Sequence, residues 1–375
     1  MSSEVTMFSC WLARTVRPGP AVRRLSVDVE ARRRLSVDVE ARRLGYSEYG
    51  DPCSTVSLLQ EQIKCRLQPR QVLAKYLLCP VNPADINVLQ GTYPIRPPLP
   101  ATGGGEGVAQ IISVGEEVTG LTAGDWVLPA RPMTGTWRSH LVAEEMDWIR
   151  IRNDIPALGA ATMMINPCTA YRMLRDFVDL QPDDWIIQNG SNSAVGQAVI
   201  QMARLMGVRT VNVVRERKDV DETLALKARL TELGGDLVVT ESELRGSKMF
   251  RTGELARPRL ALNCVGGQSS SELCKALAER GVMVTYGGMS RQPVVTATSH
   301  FIFKDLRLTG FWMGQWNERE GRSDARLNMY RDVTDMISSG SLQPPPCQLV
   351  SLEDYKLVLE KTLAGFLPAK FVFQL

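Results

Sequence analysis

Histidine is scarce in this chain, and the scarcity limits the chemistry that the chain can perform. Only His140 and His300 occur among its 375 residues. The eight cysteines contain no Cys-x-x-Cys pair, the spacing typical of zinc ribbons and redox dithiols. These shortages argue against a catalytic zinc held by histidine and cysteine and against a disulfide framework. We therefore expect reduced thiols and no bound metal.

Long apolar runs are also missing. No run reaches the ~18–20 residues that a bilayer-spanning helix needs, so no membrane span is expected. Hydrophobic residues make up 44% of the chain and charged residues 23%, which is ordinary for a soluble globular protein. A length of 375 residues is sufficient for two domains.

Most of the excess positive charge lies at the N-terminus. Residues 1–43 hold nine arginines and five acidic residues, a balance of +4, whereas the whole chain carries +3. The remainder therefore has a formal charge of −1. Because nucleic-acid binding requires a basic surface, this near-neutral body argues against a nucleic-acid partner.

The N-terminal segment has the composition of a targeting sequence. Residues 7–25 carry four arginines among hydroxyl and apolar residues, with no acidic residue. This composition predicts a mitochondrial transit peptide and delivery to the matrix, with a disordered basic tail as the alternative. The decapeptide 24–33 is repeated without change as 34–43. Because two copies are too few for a solenoid, we interpret them as a tandem duplication within a leader, with the fold starting near Leu44.

A strand, a glycine-containing turn and a helix follow one another in the middle of the chain. Apolar residues 185–188 predict a buried strand. In the turn, Gly190 and Gly196 allow backbone N–H groups to approach a pyrophosphate at the positive end of the helix. Ala194 stands where a middle glycine is expected, and its methyl group is tolerable only if its φ is negative. The helix is predicted over residues 195–206, burying Val195, Val199, Met202, Leu205 and Met206.

Arginines follow the second predicted strand of this unit, residues 209–214. Arg215, Glu216 and Arg217 begin nineteen residues after Gly196. About twenty residues past the glycines, such folds usually carry an acidic residue that binds the ribose 2′-hydroxyl of NAD. Arginine at this point suits a 2′-phosphate instead, so the sequence predicts NADPH as the cofactor.

The order of predicted elements indicates an α/β protein with two parts. Short predicted strands at residues 72–78, 107–114, 125–128 and 139–142 indicate a mostly-β first part, with a short helix after Asn82. From residue 166 onward, strands alternate with helices, which predicts a parallel sheet with right-handed crossovers. The further strands are predicted at 237–239, 260–264, 282–286 and 306–311, and the further helices at 220–233, 270–277 and 323–338.

Several sequence blocks resemble those of one enzyme family. They are Asn82-Pro-Ala-Asp-Ile-Asn, Gln90-Gly-Thr-Tyr-Pro, Gly124-Asp-Trp-Val, Asn166-Pro-Cys-Thr-Ala-Tyr-Arg-Met-Leu, Asn263-Cys-Val-Gly-Gly, Val284-Thr-Tyr-Gly-Gly-Met and Gly310-Phe-Trp-Met-Gly-Gln-Trp. In this order they resemble the mitochondrial 2-enoyl thioester reductases, in the zinc-independent, quinone oxidoreductase-like branch of the medium-chain dehydrogenase/reductase superfamily. Where zinc-dependent relatives have Gly-His-Glu, this chain has Gly104, Gly105 and Glu106.

The resemblance implies a specific fold and domain organisation. It implies a GroES-like, mostly-β catalytic domain joined to a doubly wound Rossmann domain with a parallel sheet. The corresponding boundaries are a leader at 1–43, the catalytic domain at 44–165, the Rossmann domain at 166–311 and a C-terminal return to the catalytic domain at 312–375. A homodimer formed through the Rossmann domain is also implied.

The resemblance also implies a reaction and its residues. The reaction is NADPH-dependent reduction of trans-2-enoyl thioesters, carried by coenzyme A or acyl carrier protein, in mitochondrial fatty-acid synthesis. Tyr93 matches the proton donor, and Trp312, Met313 and Trp316 are candidates to line the acyl pocket. The implied cofactor contacts are Asn166, Asn192, Ser193, Ala194, Val195, Arg215, Glu216, Arg217, Tyr286, Gly287, Gly288, Met289, Phe311, Trp312, Met313 and Lys370.

Two other functions remain open at this point. Quinone or alkenal reductases of the same superfamily also lack zinc and can carry a tyrosine in the corresponding loop. A non-enzymatic binding protein that retains the fold is the third hypothesis, and Ala194 and the duplicated decapeptide favour it.

Overall fold

The computed structural model describes residues 38–64, 66–365 and 368–375. The transit-peptide prediction on residues 7–25 lies outside the described residues, as does the first decapeptide copy. The strands are β1 Val39–Tyr46, β2 Ser57–Ile63, β3 Gln71–Pro80, β4 Ala101–Thr102, β5 Val108–Val114, β6 Trp126–Pro129, β7 His140–Glu144, β8 Trp148–Ile151, β9 Trp185–Gln188, β10 Arg209–Val214, β11 Leu237–Thr240, β12 Leu260–Asn263, β13 Val282–Thr285, β14 Arg307–Gly310, β15 Cys347–Ser351 and β16 Lys370–Gln374.

Helices cover the sheets and connect their strands. They are α1 Pro52–Thr55, α2 Pro83–Leu89, α3 Ala157–Thr162, α4 Asn166–Asp176, α5 Ala194–Leu205, α6 Val220–Glu232, α7 Glu241–Gly246, α8 Met249–Thr252, α9 Gly267–Ala276, α10 Thr298–Lys304, α11 Met313–Glu320, α12 Asp324–Ser338 and α13 Tyr355–Ala364. Within the described part of the chain, no helix has the length and apolar character to cross a membrane.

The first part of the chain is built on a seven-stranded sheet. Its order is β15-β16-β3-β5-β6-β8, with β7 paired to β3. Alternate residues Val72, Ala74 and Tyr76 of β3 enter one core, as the twofold period of a strand requires. The C-terminal strand β16 pairs antiparallel with β3.

The described fold begins within the second decapeptide copy, earlier than the expected start at Leu44. Strand β1 starts at Val39 and pairs antiparallel with β2, from Val39 opposite Ile63 to Gly45 opposite Ser57. Ala41 is fully buried, and the Arg43 Nε lies 3.0 Å from Glu61 Oε2. The alternation of apolar and polar residues in the repeat suits a strand, which explains its place in the sheet.

The second part is a six-stranded, wholly parallel sheet of Rossmann type. Its order is β11-β10-β9-β12-β13-β14, which places the first strand of the unit, β9, at the centre. Successive strand residues enter cores on opposite faces of the sheet. Ile186, Leu262 and Val284 face the core that includes α4 and α5, whereas Ile187 and Met283 face the core that includes α9. The doubly wound α/β prediction is therefore confirmed.

Helix α5 begins and ends one residue earlier than predicted, and Met206, which was expected to be buried, is half-buried just beyond its end. Val195, Val199 and Met202 are buried as predicted, but Leu205 is 51% exposed. At about 100° per residue, Leu205 lies about 80° from the line of the buried residues. The helix ends at this residue, and Gly207 follows it with a φ of +70°. Leu205 therefore lies outside the buried apolar face of the helix.

Candidate active site

The turn between β9 and α5 has the geometry of a phosphate-binding loop. Ser193 caps α5, its Oγ accepting a hydrogen bond from Gly196 N at 3.1 Å. Ala194 is the first helical residue and is absent from the residues with positive φ, so its methyl group causes no backbone strain. Two positions of the loop require glycine. Gly190 has a φ of +59°, and a Cβ on it would lie 2.5 Å from Cys264 Sγ, whereas a Cβ on Gly196 would lie 2.6 Å from Ser191 O. The substitution at 194 therefore leaves the loop intact.

Buried asparagines join the loop to the neighbouring strand. Asn189 Nδ2 donates to Asn263 Oδ1 at 2.8 Å, and Asn189 Oδ1 accepts from Cys264 N at 2.8 Å. Both asparagines are fully buried. They fix the carboxyl ends of β9 and β12 at the point where such sheets bind dinucleotides. Neither asparagine was predicted as a site residue, although a polar pair at two buried strand ends is a signal that the sequence contains.

Tyr286 brings an unsatisfied hydroxyl to the same edge of the sheet. Its backbone N donates to Asn263 O at 2.9 Å, and its hydroxyl is buried without a hydrogen-bond partner among the described residues. Burial raises the pKa of this hydroxyl well above its usual value; the Cys264 thiol adds to the increase in pKa, and the Ser193 side chain opposes it. A buried hydroxyl beside the phosphate loop requires a partner, and a bound cofactor can supply one.

The rest of the loop after β13 is open to solvent. Met289 is 63% exposed, and its backbone N donates to Cys264 O at 2.9 Å. Gly287 is half-buried and Gly288 is exposed, with no atom near the position of a Cβ on Gly288. Met289 is therefore a surface residue and not part of the core.

The arginine pair stands at the carboxyl end of β10, with Glu216 between its members. Glu216 Oε1 accepts hydrogen bonds from the N–H of Ser242, at 3.1 Å, and from its hydroxyl. The Ser242 bonds lower the pKa of Glu216 to about 2, so this carboxylate stays ionised. Arg217 N donates to Thr223 Oγ1 at 2.9 Å, and Arg215 is exposed. Glu216, which lies between the two arginines, therefore connects the carboxyl end of β10 to helix α7.

Taken together, these residues fit NADPH. Asn192, Ser193, Ala194 and Val195 form the turn and first helical residues where a pyrophosphate binds to N–H groups. The arginines lie one strand away, at the carboxyl end of β10. The unpartnered Tyr286 hydroxyl adds a polar group facing the same edge.

Tyr93 lies in the cleft between the two domains and is held by Trp312. The Trp312 Nε1 donates to the Tyr93 hydroxyl at 2.8 Å, and the rings meet edge to face with centroids 5.9 Å apart. Burial raises the pKa of Tyr93, whereas the Trp312 hydrogen bond lowers it and the charge of Asp85 raises it. The net increase keeps the phenol protonated at neutral pH, as a proton donor requires.

The loop that carries Tyr93 is fixed at several points. Tyr93 N donates to Asn87 O at 3.2 Å, at the C-terminal end of α2. Tyr49 donates its hydroxyl proton to Pro97 O at 2.6 Å, and Arg96 donates to Gly91 O. The phenol therefore has a defined position relative to the Rossmann domain.

The other predicted residues at this end differ in exposure. Phe311 N donates to Thr285 O at 3.0 Å, and its half-buried ring meets Phe177 edge to face. Met313 and Trp316 are buried in the core that the two domains share, where the Arg172 guanidinium stacks on Trp316. Of the three acyl-pocket candidates, Trp312 is the half-buried one beside Tyr93.

A buried polar network connects the two domains through Asn82. The backbone N of Asn82 donates to Asp85 Oδ2 at 2.7 Å, and its Nδ2 donates to Glu106 Oε2 at 2.9 Å. Its Oδ1 accepts from Asn166 Nδ2 at 3.2 Å and from Lys370 Nζ. Two predicted cofactor contacts, Asn166 and Lys370, are therefore joined by Asn82, for which the sequence predicted a helix start but no role in the site.

The charges in this network shift one another's pKa values. Burial raises the pKa of Asp85 to about 7, although the Asn82 N–H and the Lys370 charge oppose the increase. Burial also raises the pKa of Glu106 and lowers that of Lys370. Glu106 Oε1 accepts from Ile165 N at 2.8 Å, just before α4. Glu106 therefore accepts hydrogen bonds from a backbone N–H and from a side-chain amide. It follows Gly105, which stands where zinc-dependent relatives have the histidine.

Two protein families match separate parts of the chain. The alcohol dehydrogenase GroES-like domain matches residues 68–149, and the zinc-binding dehydrogenase family matches residues 194–327. The residues do not fit the zinc of that second description. The described parts of the chain hold no group of three or more His, Cys, Asp or Glu residues placed to bind a metal ion.

Similar proteins cover most of the chain. Over 330 residues it is 49% identical to the enoyl-acyl-carrier-protein reductase, mitochondrial, of Homo sapiens, a match that covers 87% of both chains. The solved complex of Etr1p with NADP and crotonyl-CoA superposes with a TM-score of 0.83 at 32% identity, covering 90% of this chain and 100% of that one. The mitochondrial 2-enoyl thioester reductase Etr1p/Etr2p heterodimer from Candida tropicalis gives the same TM-score, identity and coverage.

Proposed function

The chain belongs to the family of the mitochondrial enoyl-acyl-carrier-protein reductases, and from this premise we propose that Tyr93 and the loops around it reduce a trans-2-enoyl thioester. It is an NADPH-dependent oxidoreductase of 2-enoyl thioesters and a mitochondrial protein. The observation that carries the proposal for the site is the Trp312–Tyr93 hydrogen bond in the cleft, because it places a protonated phenol beside the Rossmann loops.

The reduction adds one hydride and one proton across the carbon–carbon double bond. When bound, NADPH supplies the hydride, which the β-carbon of the conjugated thioester receives. Tyr93 donates the proton to the α-carbon, directly or through one water. The Trp312 N–H then stabilises the oxygen that Tyr93 leaves ionised, since a donor to that oxygen favours the charged form.

The remaining residues position the cofactor. The N–H groups of the loop at 192–195 bind the pyrophosphate, with the Tyr286 hydroxyl beside them. Arg215 and Arg217 bind the 2′-phosphate, and Glu216 holds the strand end that carries them. Asn166 and Lys370 lie at the nicotinamide end with Phe311, Trp312, Met313 and the loop 286–289.

Quinone reduction is the alternative that the fold permits, and a comparison of substrates tests it. We expect turnover of crotonyl-CoA with NADPH to exceed that of a simple benzoquinone by at least about tenfold in kcat/KM, a difference in transition-state binding of about 1.4 kcal/mol. Loss of NADPH absorbance measures both reactions on one protein sample. Faster quinone turnover would instead assign the cleft to quinones.

The assembly, compartment and domain boundaries complete the proposal. Helix α10, which precedes the edge strand β14, exposes Phe301, Ile302 and Phe303, an apolar surface that suits a second copy of this chain in a homodimer. We place the enzyme in the mitochondrial matrix, where it acts in fatty-acid synthesis. The catalytic domain covers residues 44–165 together with β1, the Rossmann domain 166–311 and the C-terminal return 312–375.

A further inference from the structure

Three segments of the chain that are distant in sequence meet at the side chain of Asn82. Asn82 precedes helix α2 in the catalytic domain, Asn166 is the first residue of α4, and Lys370 is the first residue of β16. Asn82 is 3% exposed, whereas Asn166 and Lys370 are half-buried. Asn166 and Lys370 can therefore contact a bound cofactor, whereas Asn82 can act on it only through them.

Glu106 determines the orientation of the Asn82 amide. The Glu106 side chain is fully buried, and its two oxygens accept hydrogen bonds from Ile165 N at 2.8 Å and from Asn82 Nδ2 at 2.9 Å. On the other side of the amide, the Lys370 ammonium has donors and no acceptor, so it requires the amide oxygen. Both neighbours therefore favour the same orientation, with Nδ2 toward Glu106 and Oδ1 toward Lys370.

The oriented amide leaves one polar group of each partner available. Asn82 Oδ1 accepts a hydrogen bond from Asn166 Nδ2 at 3.2 Å, and the Oδ1 of Asn166 accepts none from the described residues. Lys370 Nζ donates to Asn82 Oδ1 and to Val81 O at 3.3 Å, which uses two of its three donors. Within the described part of the chain, one acceptor and one donor therefore remain, which is the pair that the carboxamide of a nicotinamide requires.

We propose that Asn82 is a positioning residue, which holds Asn166 and Lys370 against the nicotinamide end of NADPH. Glu106 supports this role by orienting the Asn82 amide. The inference rests on the proposed function, which places Asn166 and Lys370 at that end. Hydride transfer requires the nicotinamide and the β-carbon to meet in a defined geometry, and a displacement of about 1 Å can reduce the rate by roughly 10²-fold.

Two nucleotides test the assignment in the Asn82→Ala variant. NADPH contains the nicotinamide, whereas adenosine 2′,5′-bisphosphate contains only the adenosine part with its 2′-phosphate. Loss of the amide should raise the dissociation constant of NADPH by about tenfold and lower kcat for crotonyl-CoA by about tenfold or more. The dissociation constant of adenosine 2′,5′-bisphosphate should change by less than about twofold, because the phosphate loop and Arg215 are untouched. An unchanged value also shows that the variant is folded.

A second variant, Glu106→Gln, keeps the volume of the side chain and changes its hydrogen bonding. Glutamine has one carbonyl oxygen, so it cannot accept from both Ile165 N and Asn82 Nδ2. A reversed Asn82 amide relieves this conflict but turns its Nδ2 toward Lys370, where two donors then face each other. Glu106→Gln should therefore give the same pattern as Asn82→Ala. The double variant should stay within about threefold of either single variant, because both substitutions act through one amide.

Thr136→Val provides the matched control. Thr136 is fully buried, and its hydroxyl donates to Glu106 O at 2.7 Å. Valine removes this hydrogen bond from the same segment and leaves the Glu106 carboxylate and the Asn82 amide in place. Both dissociation constants and kcat should stay within about threefold of the wild-type values.

Four results would overturn the positioning role. One is an equal rise in the dissociation constants of the two nucleotides in Asn82→Ala, and another is an equal loss of turnover in Thr136→Val, since either indicates general damage to the fold. Losses that add in the double variant show that Glu106 does not act through Asn82. Wild-type kinetics in both single variants removes the role outright. If the wild-type protein itself reduces no crotonyl-CoA, the proposed function fails, and the positioning role falls with it.

Discussion

Replacing Tyr93 with phenylalanine should reduce the turnover of crotonyl-CoA by roughly 10²–10⁴-fold, the usual contribution of a general acid. The phenylalanine ring retains the packing against Trp312, whose centroid lies 5.9 Å away, and loses only the hydroxyl. The α-carbon then has no positioned proton donor. The dissociation constant of NADPH should stay within about twofold, because the phosphate loop and Arg215 lie on other elements. Steady-state kinetics and fluorescence titration with NADPH measure the two quantities.

A second tyrosine, which lies between β1 and α1 and contacts the loop that carries Tyr93, provides the control. The Tyr49 hydroxyl donates to Pro97 O at 2.6 Å, so Tyr49→Phe also removes one hydroxyl that orders the loop. It removes no proton donor, and turnover should fall by less than about tenfold, as for an ordinary lost hydrogen bond. Equal losses in Tyr49→Phe and Tyr93→Phe would show that the loop, and not the phenol, limits the reaction.

Removing the arginine pair should change the cofactor preference. In an Arg215→Ala, Arg217→Ala double variant, NADPH binding should weaken by roughly 10²-fold or more, because each charged hydrogen bond to a phosphate contributes about 1.5–3 kcal/mol. NADH binding should change by less than about threefold, because NADH has no 2′-phosphate. Titration of each nucleotide into the purified protein gives both dissociation constants.

The control for the arginine pair lies on the same strand. Arg209 begins β10 at its other end and forms an exposed ion pair with Asp183 at 2.9 Å. Arg209→Ala removes one positive charge far from the carboxyl edge and should leave the dissociation constants of both nucleotides unchanged. An equal loss of NADPH and NADH affinity in the double variant would contradict the phosphate assignment. If the wild-type protein binds neither nucleotide, the hypothesis of a non-enzymatic binding protein gains support.

The first two strands of the Rossmann domain could be predicted because the pattern that marks each strand lies within a few neighbouring residues. Residues 185–188 and 209–214 are strands with the predicted bounds, and Arg215 follows directly. From the sequence, the methyl group of Ala194 is tolerated only if its φ is negative. The structure meets this condition, because Ala194 is the first residue of helix α5. Gly190 was predicted as a glycine of the turn, but the close approach of Cys264, a residue seventy-four positions later, could not be predicted from the sequence.

The parts that were missed depend on contacts between distant segments. Asn82 joins Glu106, Asn166 and Lys370 across both domains, and no spacing rule predicts such a set. The start of β1 at Val39 was missed because the repeat favours a leader, whereas pairing with β2 decides its structure. Leu205 shows the limit of helical periodicity, since one residue at the edge of the apolar face is exposed.

Isotope tracing in the product tests the central claim most directly. The wild-type protein is given crotonyl-CoA and NADPH dideuterated at C4 of the nicotinamide, in ordinary water, and the product is examined by mass spectrometry and NMR. The account predicts butyryl-CoA with one deuterium, located at C3, and a hydrogen from solvent at C2. Deuterium at C2, or no saturated thioester at all, would contradict hydride transfer to the β-carbon of an enoyl thioester with proton donation to its neighbour.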